Sequence, residues 1–294
     1  MVYRKRLSEK IGDAFLYGGM SILMIVTLYP FWSQIVLSLQ EGASAYSTGF
    51  MIFPHKISFE AYRLAFHYSP LWTGYLNTII RTVLGVVLIL VFTALTAYPL
   101  SKKDLPFNRA FTGFLLFTML FSGGLIPNYL LIKNLGLLNS VWSLVLPGMI
   151  SAFNVLIMRN FFRAIPESLE ESARVDGAGY IRIFASVVLP LSLPVLATVA
   201  LWVGVGHWNA WFDSLIYIAD SKKQVLQVVL RKIVIENDTS NMTAMIQKMG
   251  SQSKYTGRQL QSTVIIISII PMLVIYPFVQ KYFVKGVMVG AIKG

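Results

Sequence analysis

The chain has 294 residues, of which 55% are hydrophobic and 13% charged, and it carries a formal net charge of +12. A soluble globular domain has about 25% charged residues, so this composition argues against one. The absence of cysteine excludes disulfides, thiolate nucleophiles and Cys-based metal sites, and the basic residues cluster at the ends of apolar runs, which favours anionic lipid over nucleic acid as their partner.

Six long stretches of the chain contain no Asp, Glu, Lys or Arg. A bilayer core about 30 Å thick needs about 20 apolar residues of helix, and each stretch reaches that length. The sequence therefore predicts an all-α polytopic membrane protein with six transmembrane helices in a single domain over residues 1–294. The predicted spans are 14–39, 77–100, 110–132, 138–159, 187–212 and 260–282.

The first apolar run follows the basic segment MVYRKRLSEK and is similar in that respect to a secretion signal. An Ala43-Ser44-Ala45 triplet downstream fits a cleavage site. The apolar region of a signal peptide, however, is about 7–15 residues long, and this run has roughly 26. We interpret it as an uncleaved first membrane helix.

Six spans place both termini on the same side of the membrane. With the termini in the cytoplasm, 14 basic residues lie in the cytoplasmic segments and 10 in the outer ones. This bias agrees with the positive-inside rule. The sequence thus predicts a cytoplasmic segment at 163–186 and a long outer loop at 220–258.

Residue types that can carry chemistry form no recognisable catalytic or metal site. Arg81 and Asp213 lie near span ends, where long polar side chains reach towards the membrane interface. His55, His67 and His207 lack metal-ligand spacing and are interpreted as interface or loop residues. The chain has no GxxxxGK[ST] motif for binding nucleotide phosphates, so the energy for any transport must come from elsewhere.

A charged island interrupts the apolar sequence at 166–194, where PESLEESARVDGAGYIRIFASVVLPLSLP holds four of the thirteen carboxylates within ten residues. Pro166 suits the first turn of a helix, because its missing N–H would have no partner there. Gly177 suits the end of that helix, because glycine readily adopts a left-handed backbone. A second short helix is predicted from Tyr180 to Leu189-Pro190. Because such short helices are unstable alone, we expect the unit to dock on a partner protein.

This island resembles the EAA loop of ABC importer permeases. Its spacing is Glu171-Ser172-Ala173, three residues, Gly177, nine residues, Val187, one residue and Leu189-Pro190. The family has alanine at the position of Ser172 and usually isoleucine at that of Val187, and both differences are conservative. Asp176-Gly177-Ala178 is similar to the common DGA of the family.

Other segments are similar to the carbohydrate-uptake branch of that family, the maltose-importer type. They are FSGGLIPNYLLIKNLGLLNSVWSLVLP (Phe121–Pro147), HWNAWFDSLIYI (His207–Ile218) and VKGVMVGAIKG (Val284–Gly294). Within the branch, the chain resembles permeases for complex oligosaccharides, among them the second permease subunit of the alginate importer.

The resemblance implies a type I ABC importer permease fold, in which the island is the coupling helix that sits in a cleft of a separate ATPase. It also implies that Pro190 marks the bend into the fifth span, while no substrate-binding residue is assigned. The residues that the resemblance places at the ATPase contact are Glu171, Ser172, Ala173, Arg174, Asp176, Gly177 and Ala178.

The implied partners are a homologous second permease subunit, two ATPase subunits, a periplasmic solute-binding protein, membrane lipid and an oligosaccharide, with no nucleic acid. The chain would be a transporter subunit of the bacterial inner membrane and not an enzyme, with ATP and Mg bound by the partner ATPase. Two other classes stay open. An ion-coupled secondary transporter needs ionisable groups at the bilayer midplane or paired broken helices, and an intramembrane enzyme needs a nucleophile or metal cluster within a span.

Overall fold

The computed structural model describes residues 7–41, 52–235 and 257–291, with side chains of the last helix described to residue 277. Regular structure within these ranges is helical, and one isolated antiparallel bridge joins Gln40 to Ile57. The helices are α1 (Leu7–Ser38), α2 (Glu60–His67), α3 (Ser69–Ser101), α4 (Asn108–Leu120), α5 (Leu125–Asn134), α6 (Trp142–Val145), α7 (Ala152–Arg163), α8 (Glu167–Val175), α9 (Tyr180–Leu191), α10 (Leu193–Asn209), α11 (Phe212–Tyr217), α12 (Leu226–Val234) and α13 (Gly257–Ala291).

Three of these helices, α1, α3 and α13, are long and apolar enough to cross a membrane. They coincide with the first, second and sixth predicted spans. Two further pairs pass the same test as bent helices: α4 with α5, bent by 110°, and α9 with α10, bent by 78°. These pairs coincide with the third and fifth predicted spans.

Local sequence explains both bends. Between α4 and α5, Phe121 is extended and Gly124 takes a φ of +84°, a value that glycine reaches without steric cost. Between α9 and α10, the break falls at Ser192, because Pro194 in the first turn of α10 has no N–H to donate to the carbonyl four residues earlier. The bend predicted at Pro190 therefore lies two residues further on.

The fourth predicted span differs from expectation. The continuous helix predicted over 138–159 is not present, because Pro147-Gly148 separates the four-residue α6 from α7, and Gly148 has a φ of +77°. Twelve residues of helix extend about 18 Å, less than the bilayer core of about 30 Å. A count of charge-free residues does not detect this break, because proline and glycine are uncharged.

The chain folds as two compact units, the first made of Met1–Ser69 with Leu230–Ile270 and the second of Pro70–Val229 with Pro271–Gly294. In the first unit, Ser262 Oγ on α13 donates to Gln34 Oε1 on α1 at 2.6 Å, a polar link of the kind that joins membrane helices. The single domain predicted over residues 1–294 stays a prediction.

The core of the second unit lies where α3, α7, α9 and α10 meet. Ala97, Val155, Ile183 and Val199, one from each helix, are completely buried in it. Ala173 of α8 packs against the same cluster from its edge. The charged island is therefore joined to the membrane helices by an apolar contact as well as by the chain.

The beginning of the predicted outer loop packs against the first half of α3. The N–H of Leu226 donates to Thr78 Oγ1 at 2.8 Å, and Asn77 Nδ2 donates to the carbonyls of Lys222 and Gln224 at 2.9 and 3.0 Å. Residues 226–234 are helical, so this part of the 220–258 segment is not an open loop. Residues 236–256 of that segment lie outside the described residues.

Arg81 and Asp213, predicted to reach the membrane interface, instead pair with each other. Arg81 lies about 18 Å along α3 and is only 2% exposed. Its Nη2 donates to Asp213, its Nη1 to the Ala210 carbonyl at 3.1 Å, and its Nε to His207 Nδ1 at 3.2 Å. The Arg81 cation is thus compensated inside the protein and does not extend towards an interface, contrary to the expectation for this side chain.

Gly85 allows α3 and α10 to approach at this cluster. A Cβ atom at Gly85 would lie 2.4 to 2.9 Å from three ring atoms of His207, closer than atoms pack. Because Arg81 holds the imidazole by its Nδ1, the ring cannot turn away without losing that hydrogen bond. Small residues at helix crossings serve the same purpose throughout membrane proteins.

We expect Gly85→Ala to lower the stability of the purified protein by about 1–3 kcal/mol, because the added methyl group overpacks the crossing. Thermal unfolding in detergent measures the change. In the background of His207→Ala, which makes room for the methyl group, the same substitution is expected to cost much less. Gly206→Ala is the matched control, since no atom lies within 4 Å of its Cβ position. Equal losses from Gly85→Ala in both backgrounds would contradict this account.

Candidate functional site: the charged hairpin

The charged island forms a hairpin of two short helices, α8 and α9, which we call the coupling hairpin (residues 167–191). Pro166 stands at the N-cap of α8 with an extended backbone, one position before the first turn predicted for it. Glu167 and Glu170 lie in the first turn and Arg174 in the last, where the helix dipole favours each charge. The predicted order of helix, glycine turn and helix is confirmed.

The turn after α8 is a Schellman motif closed by Gly177. The N–H of Gly177 donates to the Arg174 carbonyl and that of Ala178 to the Ala173 carbonyl, both at 2.9 Å. These two bonds satisfy carbonyl groups that the helix leaves open at its end. The motif requires a left-handed residue, and Gly177 supplies it with a φ of +80°.

Glu170 fixes the coupling hairpin to the end of α3. Its side chain is buried, with the residue only 7% exposed, and it accepts a hydrogen bond from Lys102 Nζ. Tyr98 Oη donates to the same carboxylate oxygen at 3.4 Å, and Lys102 Nζ lies 4.6 Å from the centre of the Tyr98 ring. The carboxylate, the ammonium and the phenol thus form one compact polar cluster at the base of α8.

The end of α3 that receives Glu170 is itself fixed by side chains. Arg163 donates through Nε to the Ser101 carbonyl at 3.3 Å and through Nη2 to the Leu100 carbonyl at 3.2 Å. Asn108 Nδ2 donates to the carbonyls of Leu100 and Lys102 at 3.1 and 2.7 Å. Because helix ends leave carbonyl groups without partners, these contacts stabilise the last turn of α3.

The residues predicted to contact an ATPase differ in their exposure. Five of the seven are exposed: Glu171, Ser172, Arg174, Asp176 and Gly177. Ala173 and Ala178 are half-buried instead and pack against the core of the second unit. These two alanines therefore lie beneath the exposed residues and are not part of the exposed surface.

Arg174 also connects the two arms of the coupling hairpin. Its guanidinium carbon lies 5.1 Å from the centre of the Tyr180 ring, within the range of a cation–π contact. The side chain remains exposed on its outer side.

Sequence reasoning missed two features of the coupling hairpin. One is the burial of Glu170, which shares a helix face with Ala173 three residues later. Val175 and Ile181, at either side of the glycine turn, are 88% and 85% exposed. No pattern in the sequence distinguishes these two from the buried aliphatic residues around them.

In the described residues, bent apolar helices and a charged, glycine-closed hairpin fit a transport permease, and comparison with known proteins agrees. Residues 83–289 match the family model described as "Binding-protein-dependent transport system inner membrane component". This match covers more than half of the chain. The chain therefore belongs to that family and is a multi-pass inner-membrane permease, not an enzyme.

Individual relatives cover almost the whole chain. The "Polygalacturonan/rhamnogalacturonan transport system permease protein YtcP" of Bacillus subtilis (strain 168) is 39% identical over 98% of this chain and 100% of its own length. "Protein LplC" of the same strain is 40% identical over 92% of this chain and 90% of its own.

A solved structure shares the fold. It is the crystal structure of a bacterial ABC transporter involved in the import of the acidic polysaccharide alginate. One of its chains superposes with a TM-score of 0.90 at 34% identity, over 96% of this chain and 100% of that one. The type I permease fold expected from the sequence is thereby confirmed.

We expect Glu170→Ala to loosen the coupling hairpin, because it leaves the Lys102 ammonium without its carboxylate. Removing one partner of this pair should cost up to about 3 kcal/mol, because Glu170 is buried while the Lys102 side chain is 21% exposed. Trypsin cleavage at Arg174 and Arg182, both exposed, should accelerate markedly in the purified full-length protein, since local opening becomes more frequent.

Glu167→Ala is the matched control for this measurement. Glu167 forms an exposed ion pair with Lys103 at 3.1 Å, and such pairs contribute little to stability. Its cleavage rate should therefore stay near that of the unaltered protein. If Glu170→Ala and Glu167→Ala were cleaved equally fast, Glu170 would not be the anchor of the hairpin.

Proposed function

We propose that this chain is the permease subunit of an ATP-driven importer for an acidic oligosaccharide, and that the coupling hairpin transmits the movement of a separate ATPase to the membrane helices. The observation that carries this proposal is the hairpin itself. It presents an exposed surface closed by Gly177, and Glu170 fixes that surface to α3. A surface held in this way transmits displacement instead of absorbing it.

The chemistry of the hairpin suits a protein partner. Val175 and Ile181 expose aliphatic side chains at the tip, next to the charged groups of Glu171, Arg174 and Asp176. Protein interfaces combine an apolar centre with a polar rim in the same way. A lipid surface would instead favour a basic face, whereas α8 carries three carboxylates.

In the proposed assembly, the hairpin and both termini lie in the cytoplasm, where the hairpin contacts an ATPase. ATP and Mg bind to two such ATPase subunits, and this chain holds no cofactor. A second, homologous permease subunit completes the translocation path. A periplasmic solute-binding protein delivers the substrate from outside, in keeping with the binding-protein-dependent systems to which the family belongs.

Two similar proteins support an acidic saccharide as the substrate. One is named for polygalacturonan and rhamnogalacturonan transport, and the other belongs to an importer of the acidic polysaccharide alginate. The net charge of +12 is consistent with an anionic substrate, since a positive field raises the local concentration of anions.

We expect Gly177→Val to abolish most of the ATP hydrolysis that the substrate-loaded binding protein stimulates in the reconstituted importer. A left-handed backbone costs a non-glycine residue about 1–2 kcal/mol, so the Schellman turn would open and the contact surface would lose its shape. No atom of this chain lies within 4 Å of the Cβ position at Gly177, so a steric clash within the chain would not explain the loss.

Gly179→Val is the matched control, since Gly179 has a φ of −74° and open space around its Cβ position. Glu171→Lys, which leaves the turn intact, tests recruitment separately and should reduce the amount of ATPase that co-purifies. Normal stimulated hydrolysis in Gly177→Val, with full ATPase recovery in Glu171→Lys, would remove the coupling role from the hairpin.

For the substrate, we expect oligogalacturonates to raise the Tm of the cognate binding protein and to compete for uptake by the complete importer. Neutral oligosaccharides of the same length should do neither, because they lack the carboxylates that an acidic-saccharide site binds. Differential scanning fluorimetry and radiolabelled uptake measure the two effects. A response to neutral sugars alone would reject the substrate class and leave the coupling role of the hairpin untouched.

A further inference from the structure

A basic pocket opens between α4 and α7, on the side of the second unit that bears the coupling hairpin. It has a volume of about 480 Å³, and four cationic side chains line it: Lys103, Arg109, Arg159 and Arg163. Thr112 and Leu116 of α4 complete its wall towards the apolar part of the helix. No acidic residue is among the residues that line it.

The charge of this basic pocket is mostly uncompensated. Lys103 pairs with Glu167, but in the described parts of the chain no carboxylate oxygen lies within 4 Å of the guanidinium groups of Arg109, Arg159 or Arg163. Arg163 instead donates to backbone carbonyls, which do not cancel its charge. Three clustered cations in a partly enclosed site repel one another and favour an anion between them.

Arg159 has a hydrogen-bond donor that is available to such an anion. Its Nη1 donates to Thr112 Oγ1 at 2.9 Å, which fixes the guanidinium against α4. Its Nε is buried and has no hydrogen-bond partner among the described residues. Buried donors are nearly always satisfied in folded proteins, so this N–H is available to a ligand oxygen or to water.

The surroundings of the basic pocket indicate what kind of anion it takes. None of the side chains of α4 is buried, and Phe111, Phe114 and Phe117 are all more than half exposed. The pocket therefore lies at the foot of an exposed apolar helix, where charged loop meets membrane span. A ligand that covers both parts has an anionic head and an apolar tail.

We propose that this basic pocket binds the phosphate headgroup of an anionic phospholipid, whose acyl chains lie along α4. Basic pockets between membrane helices on the cytoplasmic side commonly bind such headgroups. An acidic saccharide would satisfy the arginines, but it has no apolar part to cover the phenylalanine side chains. This inference goes beyond the proposed transport function and does not depend on the identity of the substrate.

The test uses the complete purified importer and native mass spectrometry after graded delipidation. The unaltered protein should retain phosphatidylglycerol more strongly than phosphatidylcholine, whose headgroup carries no net charge. Arg109→Gln with Arg159→Gln should weaken phosphatidylglycerol retention roughly thirtyfold, since two of the cations that attract the headgroup are lost. The charge-conserving pair Arg109→Lys with Arg159→Lys should keep most of it.

Arg182→Gln provides the control for loss of a single charge, because Arg182 is exposed on α9 outside the pocket. It should retain phosphatidylglycerol normally, while Arg109→Gln alone should already weaken retention. The proposal is overturned if phosphatidylglycerol and phosphatidylcholine are retained equally, or if the double variant retains as much as the unaltered protein. It is also overturned if inorganic phosphate or an oligogalacturonate binds the pocket and phosphatidylglycerol does not compete with it.

Discussion

The buried contact between Glu170 and Lys102 determines how this molecule is assembled around its charged hairpin. A nine-residue helix such as α8 has little stability of its own in water. Its position depends on what it is attached to, and Glu170 attaches it to the last turn of α3, with Tyr98 adding a further hydrogen bond. Burying a carboxylate is favourable only when such partners compensate its lost hydration.

Helix α3 is the common support of the second unit. Its end holds the coupling hairpin through Lys102, its middle packs against α10 at Gly85, and its first half binds the start of the outer segment through Asn77 and Thr78. The positions from Asn77 to Lys102 cover about 38 Å along the helix axis, more than the bilayer core of about 30 Å. A displacement of the hairpin therefore acts directly on a rigid element that also contacts the opposite end of the unit.

The sequence predicts those features that depend on neighbouring residues. Charge-free runs predict the long helices. Gly177 and the carboxylates of α8 predict the hairpin and its turn, because helix-end and dipole preferences act within a few residues. The resemblance to the EAA loop rests on the same short segment. The role of the seven hairpin residues in binding an ATPase stays a prediction.

Features that depend on distant residues were not predictable in this way. Arg81 and Asp213 are 132 residues apart, and only the fold brings them together. The burial of Glu170 likewise requires Lys102 to be placed opposite it. The break in the 138–159 segment is different, because its cause is local. Pro147-Gly148 interrupts a run that hydropathy alone predicts as one continuous helix.

The open space around Gly177 has a consequence for how this position tolerates change. No atom of this chain crowds its Cβ position. Glycine is favoured there because the backbone is left-handed, and not because a larger side chain would clash within the chain. Asparagine, which enters the left-handed region more readily than other residues, should be the mildest natural replacement. Within this chain, position 177 is therefore constrained by backbone conformation, whereas Gly85 is constrained by volume.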